Sequence, residues 1–180
     1  MHEPDPATLR SAQRGDLGAF DQLVQAFQAD LWRFCIGLLR DEAKAEDAVQ
    51  ETFLKMFRHL DDYRGRSKFS TWLFSIARNC AYDELRRSAR STRTQTRLEM
   101  EPPRGQSDET SGVEVREALA ELPVELREPV VLIDVFGDSY KDAALVMGLP
   151  VGTVKSRVHR ARERLARALG MATEAEVRDG

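Results

Sequence analysis

No stretch of this 180-residue chain is apolar for long enough to cross a membrane, and no apolar run follows a basic start at its N-terminus. The expectation is a cytoplasmic protein with no membrane insertion. Cysteine is scarce: Cys35 and Cys80 stand alone, without CxxC or Cys/His spacing, which argues against a disulfide framework or a zinc site. Both fall at core-like positions and are expected to be buried thiols rather than redox sensors. His2, His59 and His159 are too far apart to suggest a ligand cluster. There is no Gly-rich phosphate loop, no paired carboxylates in a Gly-rich setting and no Ser/Cys-His arrangement, so no enzyme, metal or cofactor is expected.

Proline and runs of β-branched residues are also sparse, which disfavours a sheet. What is present is helical periodicity. Asp5-Pro6 opens a short helix ending near Gly15. A longer one from Leu17 to Arg40 carries Phe20, Leu23, Val24, Phe27, Leu31, Phe34, Cys35 and Leu38 on a broad apolar face. The next, from Asp41 or Glu42 to about Leu60, repeats Ala45, Ala48, Val49, Thr52, Phe53, Met56, Phe57 and Leu60 as a core stripe. After a loop over 61–68, a fourth helix runs from about Ser70 to Ser88, with Phe69, Trp72, Leu73, Ile76 and Cys80 inward. Residues 89–112 lose periodicity and collect Ser, Thr, Arg, Pro and Gly, as a flexible linker does. Helices over 113–122 and 123–136 follow. The fold class expected is all-α: a helical domain over 1–88, the linker, a second domain over 113–172 and an acidic tail over 173–180.

The second domain contains a helix-turn-helix. Ser139 with Asp142 reads as a cap for its first helix, Gly148 as the left-handed residue that ends it, and Pro150 as the start of the next. On that last helix Val151, Val154, Val158, Ala161 and Leu165 make one apolar stripe. The opposite face carries Gly152, Thr153, Ser156, His159 and Arg160, with Lys155 and Arg157 on its flanks, a set of short donors and basic groups suited to a major groove. A solvated basic helix is the alternative for this motif by itself.

Charge is segregated along the chain. Net charge is −4 over 1–61, +5 over 62–104, −7 over 105–140, +5 over 141–170 and −2 over the last ten residues. Two basic blocks, each after an acidic one, suggest two contacts with nucleic acid beside surfaces that repel it and suit protein partners. One acidic helix face is unusual: Asp47, Gln50, Glu51 and Leu54 fall at i, i+3, i+4 and i+7, mixing acids, an amide and an exposed leucine, although a solvated face with a scattered surface leucine is the alternative for this helix by itself.

Three segments together, Glu46-Asp-Ala-Val-Gln-Glu-Thr-Phe53, Tyr63-Arg-Gly-Arg-Ser-Lys-Phe-Ser-Thr-Trp-Leu-Phe-Ser-Ile-Ala-Arg-Asn79 and Val151-Gly-Thr-Val-Lys-Ser-Arg-Val-His-Arg-Ala-Arg162, resemble an extracytoplasmic-function (ECF) sigma factor of bacterial RNA polymerase over nearly the whole chain. The resemblance implies that Asp47, Gln50, Glu51 and Leu54 dock on the β′ clamp helices of core RNA polymerase. It implies that the loop 61–68 and the helix after it recognise and open the −10 promoter element, a flipped base being held near Asn79. Tyr63, Arg64, Arg66, Lys68, Arg78, Arg86 and Arg87 are the basic and aromatic groups available around the single strand. It further implies −35 recognition through Gly152, Thr153, Lys155, Ser156, Arg157, His159 and Arg160, a linker that follows the polymerase toward its RNA exit path, and an anti-sigma factor as an additional partner. Trp72, in phase with the apolar stripe, is expected in the core rather than in the opened strand. One departure from the family pattern is Asp142-Ala-Ala144 where Glu-Ile-Ala is frequent. The competing reading, a stand-alone helix-turn-helix regulator, accounts only for residues 113–170 and leaves the first domain without a role.

Overall fold

The computed structural model describes residues 2–94 and 110–170 of the chain. Among these residues there are helices and no strands. In chain order they form two helical units, one before and one after residues 95–109. The expected acidic tail and most of the expected linker lie outside the described residues.

The first unit contains α1 (Pro6–Gln13), α2 (Leu17–Leu39), α3 (Glu42–His59), a 3-10 turn (Leu60–Asp62) and α4 (Phe69–Thr94). Each of the first three helices starts on an aspartate that accepts from amides of the first turn. Asp5 accepts from Ala7 and Thr8 N–H at 3.0 and 2.9 Å, Asp16 from Ala19 N–H at 3.1 Å and Asp41 from Lys44 N–H at 3.1 Å. Each such cap stabilises its helix by about 1 kcal/mol. The bond from Thr8 N–H is the main reason the Asp5 carboxyl titrates below the usual range, and the Lys44 ammonium and amide act likewise on Asp41.

α3 packs on α2 and α4, α2 also packs on α4, and α1 lies against α2. The core between them holds Leu23, Phe27, Leu31, Phe34 and Leu38 of α2, Ala45, Ala48 and Met56 of α3, and Phe69, Leu73, Phe74, Ala77 and Ala81 of α4. Alanines on α3 and α4 let the backbones approach, and Phe34 meets Phe74 edge to face with centroids 5.2 Å apart. Cys35 and Cys80 are buried thiols, as expected, and burial pushes the Cys35 thiol up to about 12.

Two positions read as core are not. Phe57 is 56% exposed, its ring meeting that of Phe20 edge to face at a centroid distance of 5.2 Å. Three-four spacing draws a stripe wider than the two neighbouring helices cover, and Phe57 falls off its edge. Val151, at the very start of its helix, is 38% exposed for a similar reason: it precedes the first turn that packs. Conversely Phe74, Ala77 and Ala81 are fully buried, a second apolar row on α4 absent from the expected stripe. α4 also continues to Thr94, past the expected end at Ser88, because Ser, Arg and Thr tolerate a helix that is already nucleated.

The second unit contains α5 (Thr110–Glu121), α6 (Val124–Val130), a π-helical turn (Val131–Val135), α7 (Tyr140–Met147) and α8 (Val151–Ala168). Leu122, Leu126, Val130 and Ala161 cluster with Leu119 and Leu165, so α8 packs on α5 and α6. The turn of the helix-turn-helix is built as the sequence suggests. Ser139 Oγ accepts from Asp142 N–H at 3.0 Å and donates to its carboxylate at 2.8 Å. Gly148 takes φ +63°, and Leu149 N–H closes on Ala144 O at 3.0 Å, the six-to-one bond of a glycine-terminated helix.

Candidate protein and nucleic-acid interfaces

The outer face of α3 presents Asp47, Gln50 and Leu54 to solvent, with Leu54 half exposed, while Val49, Thr52 and Met56 turn to the core. Glu51 is half-buried, and its carboxylate lies 3.7 Å from Lys55 Nζ. Lys55 also sits 3.9 Å from Asp83 and donates to Cys80 Sγ at 3.5 Å, so this lysine, part of no motif, ties the acidic face of α3 to α4. Beside Gln50 a groove between α2 and α3 is lined by Trp32, Val49, Gln28 and Arg33. The four residues of the candidate docking face therefore lie on one side of one helix, three of them exposed.

The second candidate surface joins the loop after the 3-10 turn to α4. Arg64, Arg66 and Lys68 are exposed on that loop. Tyr63 is half-buried: its hydroxyl donates to Ser67 O at 2.7 Å, closing the loop on itself, and its ring lies 5.3 Å from Trp72 and 5.5 Å from Phe69. Burial, followed by the nearby charge of Glu3, raises the Tyr63 hydroxyl above its ordinary range. Trp72 is half-buried in this aromatic cluster, between the core position expected for it and full exposure. Asn79 is exposed two turns beyond Trp72 along α4, with Arg78 stacked over the Tyr82 ring at 4.4 Å.

Arg86 and Arg87 are exposed but engaged. Arg86 pairs with Asp83, whose carboxyl titrates low chiefly through that bond, and Arg87 pairs with Glu84 at 2.6 Å. The exposed Arg86–Asp83 pair is worth only about 0–1 kcal/mol, so a phosphate can replace that carboxylate at little cost, whereas Glu84 is buried and drawing Arg87 away from it costs more. Their net attraction for nucleic acid is nonetheless smaller than the basic count of the segment suggests.

On α8 the structure brings the third set together. Gly152, Lys155, Ser156, His159 and Arg160 are exposed, and Thr153 and Arg157 are half-buried at the margins, while Val154, Val158 and Ala161 are buried on the other side. Ser156 Oγ donates to Thr153 O at 2.9 Å, and Arg160 Nε reaches Ser156 O at 3.4 Å. Lys155 Nζ lies 5.9 Å from the centroid of the Tyr140 ring of α7. His159 Nε2 is 3.5 Å from Glu163. Arg162 is drawn away from this face by two bonds to Asp134, at 3.3 and 2.6 Å.

Glu3 and Gln13 were in no motif, yet both touch the loop of the second surface. Gln13 Nε2 donates to Leu60 O at 3.1 Å and to Tyr63 O at 3.0 Å, and Glu3 accepts from Phe69 and Ser70 N–H. No local spacing announces bonds made across more than forty residues. Among the described residues no group of His, Cys, Asp and Glu could hold a metal ion, and no helix is long and apolar enough to cross a membrane.

Comparison with known proteins bears on the same surfaces. The Sigma-70 region 2 model matches residues 23–91, spanning α2 to most of α4, and the Sigma-70 region 4 model matches residues 112–165, spanning α5 to most of α8. The RNA polymerase sigma-H factor of Pseudomonas aeruginosa is 36% identical over 93% of this chain and 94% of its own. The ECF RNA polymerase sigma factor SigM of Mycobacterium tuberculosis is 40% identical over 94% of this chain and 87% of its own. Among solved structures, the sigma factor RpoE of Bartonella quintana, in complex with the anti-sigma factor NepR, superposes with a TM-score of 0.71 at 33% identity, covering 86% of this chain and 98% of that one. CnrH, in complex with the cytosolic domain of CnrY, also gives 0.71, at 30% identity over 92% of this chain and 97% of that one. The order of the two matched regions, the relatives aligned over almost their full length and the helix-turn-helix in the second unit agree: this chain belongs to the ECF sigma factors of RNA polymerase.

Proposed function

We propose that this sigma factor divides promoter-specific initiation among the three surfaces described. The α3 face of Asp47, Gln50, Glu51 and Leu54 docks on the β′ clamp helices of core RNA polymerase. Its acids, amide and leucine are accessible without disturbing the core, which a docking face requires. The loop 61–68 and the exposed side of α4 receive the −10 element. Tyr63 is held as part of the loop's own framework, while Arg64, Arg66, Lys68, Arg78, Asn79, Arg86 and Arg87 meet the opened strand. Unstacking a base costs a few kcal/mol, which cationic and aromatic contacts around it offset.

The exposed face of α8 reads the −35 element. Arg160 is assigned to a base edge and Lys155, on the flank, to a phosphate. The single observation that carries this reading is the sorting on α8: Val154, Val158 and Ala161 are buried, Ala161 in the cluster with α5 and α6, and what remains outside is a contiguous set of short donors and cations. The factor acts in the cytoplasm, with polymerase, and by initiating transcription rather than by catalysis of its own. Since the solved relative RpoE was captured with the anti-sigma factor NepR, an anti-sigma partner is proposed here also.

Run-off transcription with purified core polymerase, followed by sequencing of the transcripts, tests the reading. Start sites sharing −35 and −10 elements are expected only when the chain is added. Specific binding of the isolated chain to promoter duplex at nanomolar affinity and physiological salt, with no stimulation of core polymerase, would instead identify a stand-alone regulator.

A further inference from the structure

α4 begins without a cap of its own. Trp72 N–H bonds back to Lys68 O at 3.1 Å, so the cap position belongs to a lysine, whose side chain offers donors only. The foremost amides of the helix go elsewhere. Phe69 N–H donates to Glu3 Oε2 at 2.8 Å and Ser70 N–H to Glu3 Oε1 at 3.0 Å, across 66 residues of chain. A carboxylate at this point also meets the positive end of the helix dipole.

The segment that carries Glu3 is anchored on both sides. The His2 ring stacks on Phe27 with centroids 4.4 Å apart and lies 3.6 Å from the Asp30 carboxylate. Phe27 in turn meets Phe69, and Phe69 meets Tyr63, both at 5.5 Å. Beyond Glu3, Asp5 caps α1, and α1 ends in Gln13, whose amide bonds to Leu60 O and Tyr63 O. The loop 61–68 is thus gripped at its entry by Gln13 and at its exit by Glu3. Both residues precede the matched sigma region, which starts at residue 23.

We propose that Glu3 and Gln13 are positioning residues for −10 recognition: the N-terminal strap fixes the loop 61–68 and the first turn of α4 in the geometry that receives the opened strand. This rests on the assignment of that loop to −10 DNA made above. Glu3 adds a negative charge beside a surface meant for DNA. Its two oxygens are, however, spent on amides that a promoter phosphate could otherwise claim, so it orders the loop rather than leaving a bare carboxylate.

The test uses holoenzyme assembled from the full chain and core polymerase. Permanganate reactivity of the melted −10 segment is measured on a promoter and on its single-base −10 and −35 variants. Glu3→Ala is expected to lower opening about fivefold, the size of a lost helix cap. It should also compress the ranking of the −10 variants while leaving the −35 ranking and the affinity for core unchanged. Glu3→Gln, which keeps one acceptor oxygen, should fall between, and Gln13→Ala should compress the same ranking. Unchanged −10 ranking, increased opening, or an equal loss across −10 and −35 variants in step with a lower melting temperature would overturn the proposal. Arg66→Ala and Asn79→Ala run in parallel separate the two levels. If these alter the −10 ranking and Glu3→Ala does not, only the strap proposal fails; if none does, the loop assignment fails and takes the proposal with it.

Discussion

Arg160→Ala and Lys155→Ala should weaken transcription in different ways, because α8 places the two cations differently. Arg160 stands on the exposed face with its Nε near Ser156 O at 3.4 Å, a weak contact that leaves the guanidinium fork available for a base edge. Lys155 lies toward α7, over the Tyr140 ring at 5.9 Å, a distance at which the ring holds the ammonium only loosely. A bidentate arginine on a base is worth about 1–3 kcal/mol against the wrong base, or about 5- to 150-fold in occupancy. A phosphate contact carries no sequence information, and its loss reduces the slope of log affinity against log salt by about 0.9. Holoenzymes carrying each variant are assayed on single-base −35 promoter variants at two salt concentrations. Arg160→Ala should relax preference at one position and keep the salt slope. Lys155→Ala should weaken every promoter alike and flatten the slope. Uniform loss in Arg160→Ala would refute the base-reading assignment and leave α8 gripping backbone, with specificity drawn from DNA shape.

Two further outcomes concern the fold. Gly148→Ala keeps open space around its new methyl but forces an L-residue to φ +63°, so it should cost about 1–2 kcal/mol and lower the melting temperature of the second unit by several degrees in calorimetry. Cys35, with its thiol pushed up to about 12 by burial and then by the neighbouring Cys80, stays protonated in the folded chain while an unfolded thiol ionises from about pH 8.5. The unfolded state therefore binds fewer protons than the folded state above that pH. Its contribution to stability is complete below about pH 8.5 and is lost as pH rises toward 12. Melting temperature should fall more steeply between pH 9 and 11 in the parent than in Cys35→Ala, and equal slopes would contradict the burial argument.

Features encoded by neighbouring residues were legible in advance. The Ser139 cap, the left-handed Gly148 and the apolar row of Val154, Val158 and Ala161 depend on spacings of a few residues, and the structure builds each of them. The exposed face of α8 followed by subtraction. Features made across the chain were not legible. Phe57 fits the period of α3 but lies at the edge of the surface that α2 and α4 cover, which only their packing decides. The pairing of Arg86 and Arg87 with Asp83 and Glu84 is written at three-residue spacing, yet a count of net charge hides it. The bonds of Glu3 and Gln13 to the loop 61–68 have no local signal, because the residues they join are distant in sequence and neither type is specific to such a role.

Docking through α3 is the proposal on which the others depend, since on this reading neither promoter element is reached without polymerase. The direct measurement is co-purification of core RNA polymerase with a Gln50→Arg, Leu54→Arg double variant, alongside its circular dichroism and melting temperature. Both side chains point away from the buried row of α3, so helicity and melting should match the parent. Binding to core polymerase should be abolished, and run-off transcription with it. Undiminished co-purification of a fully folded variant would contradict docking through this face.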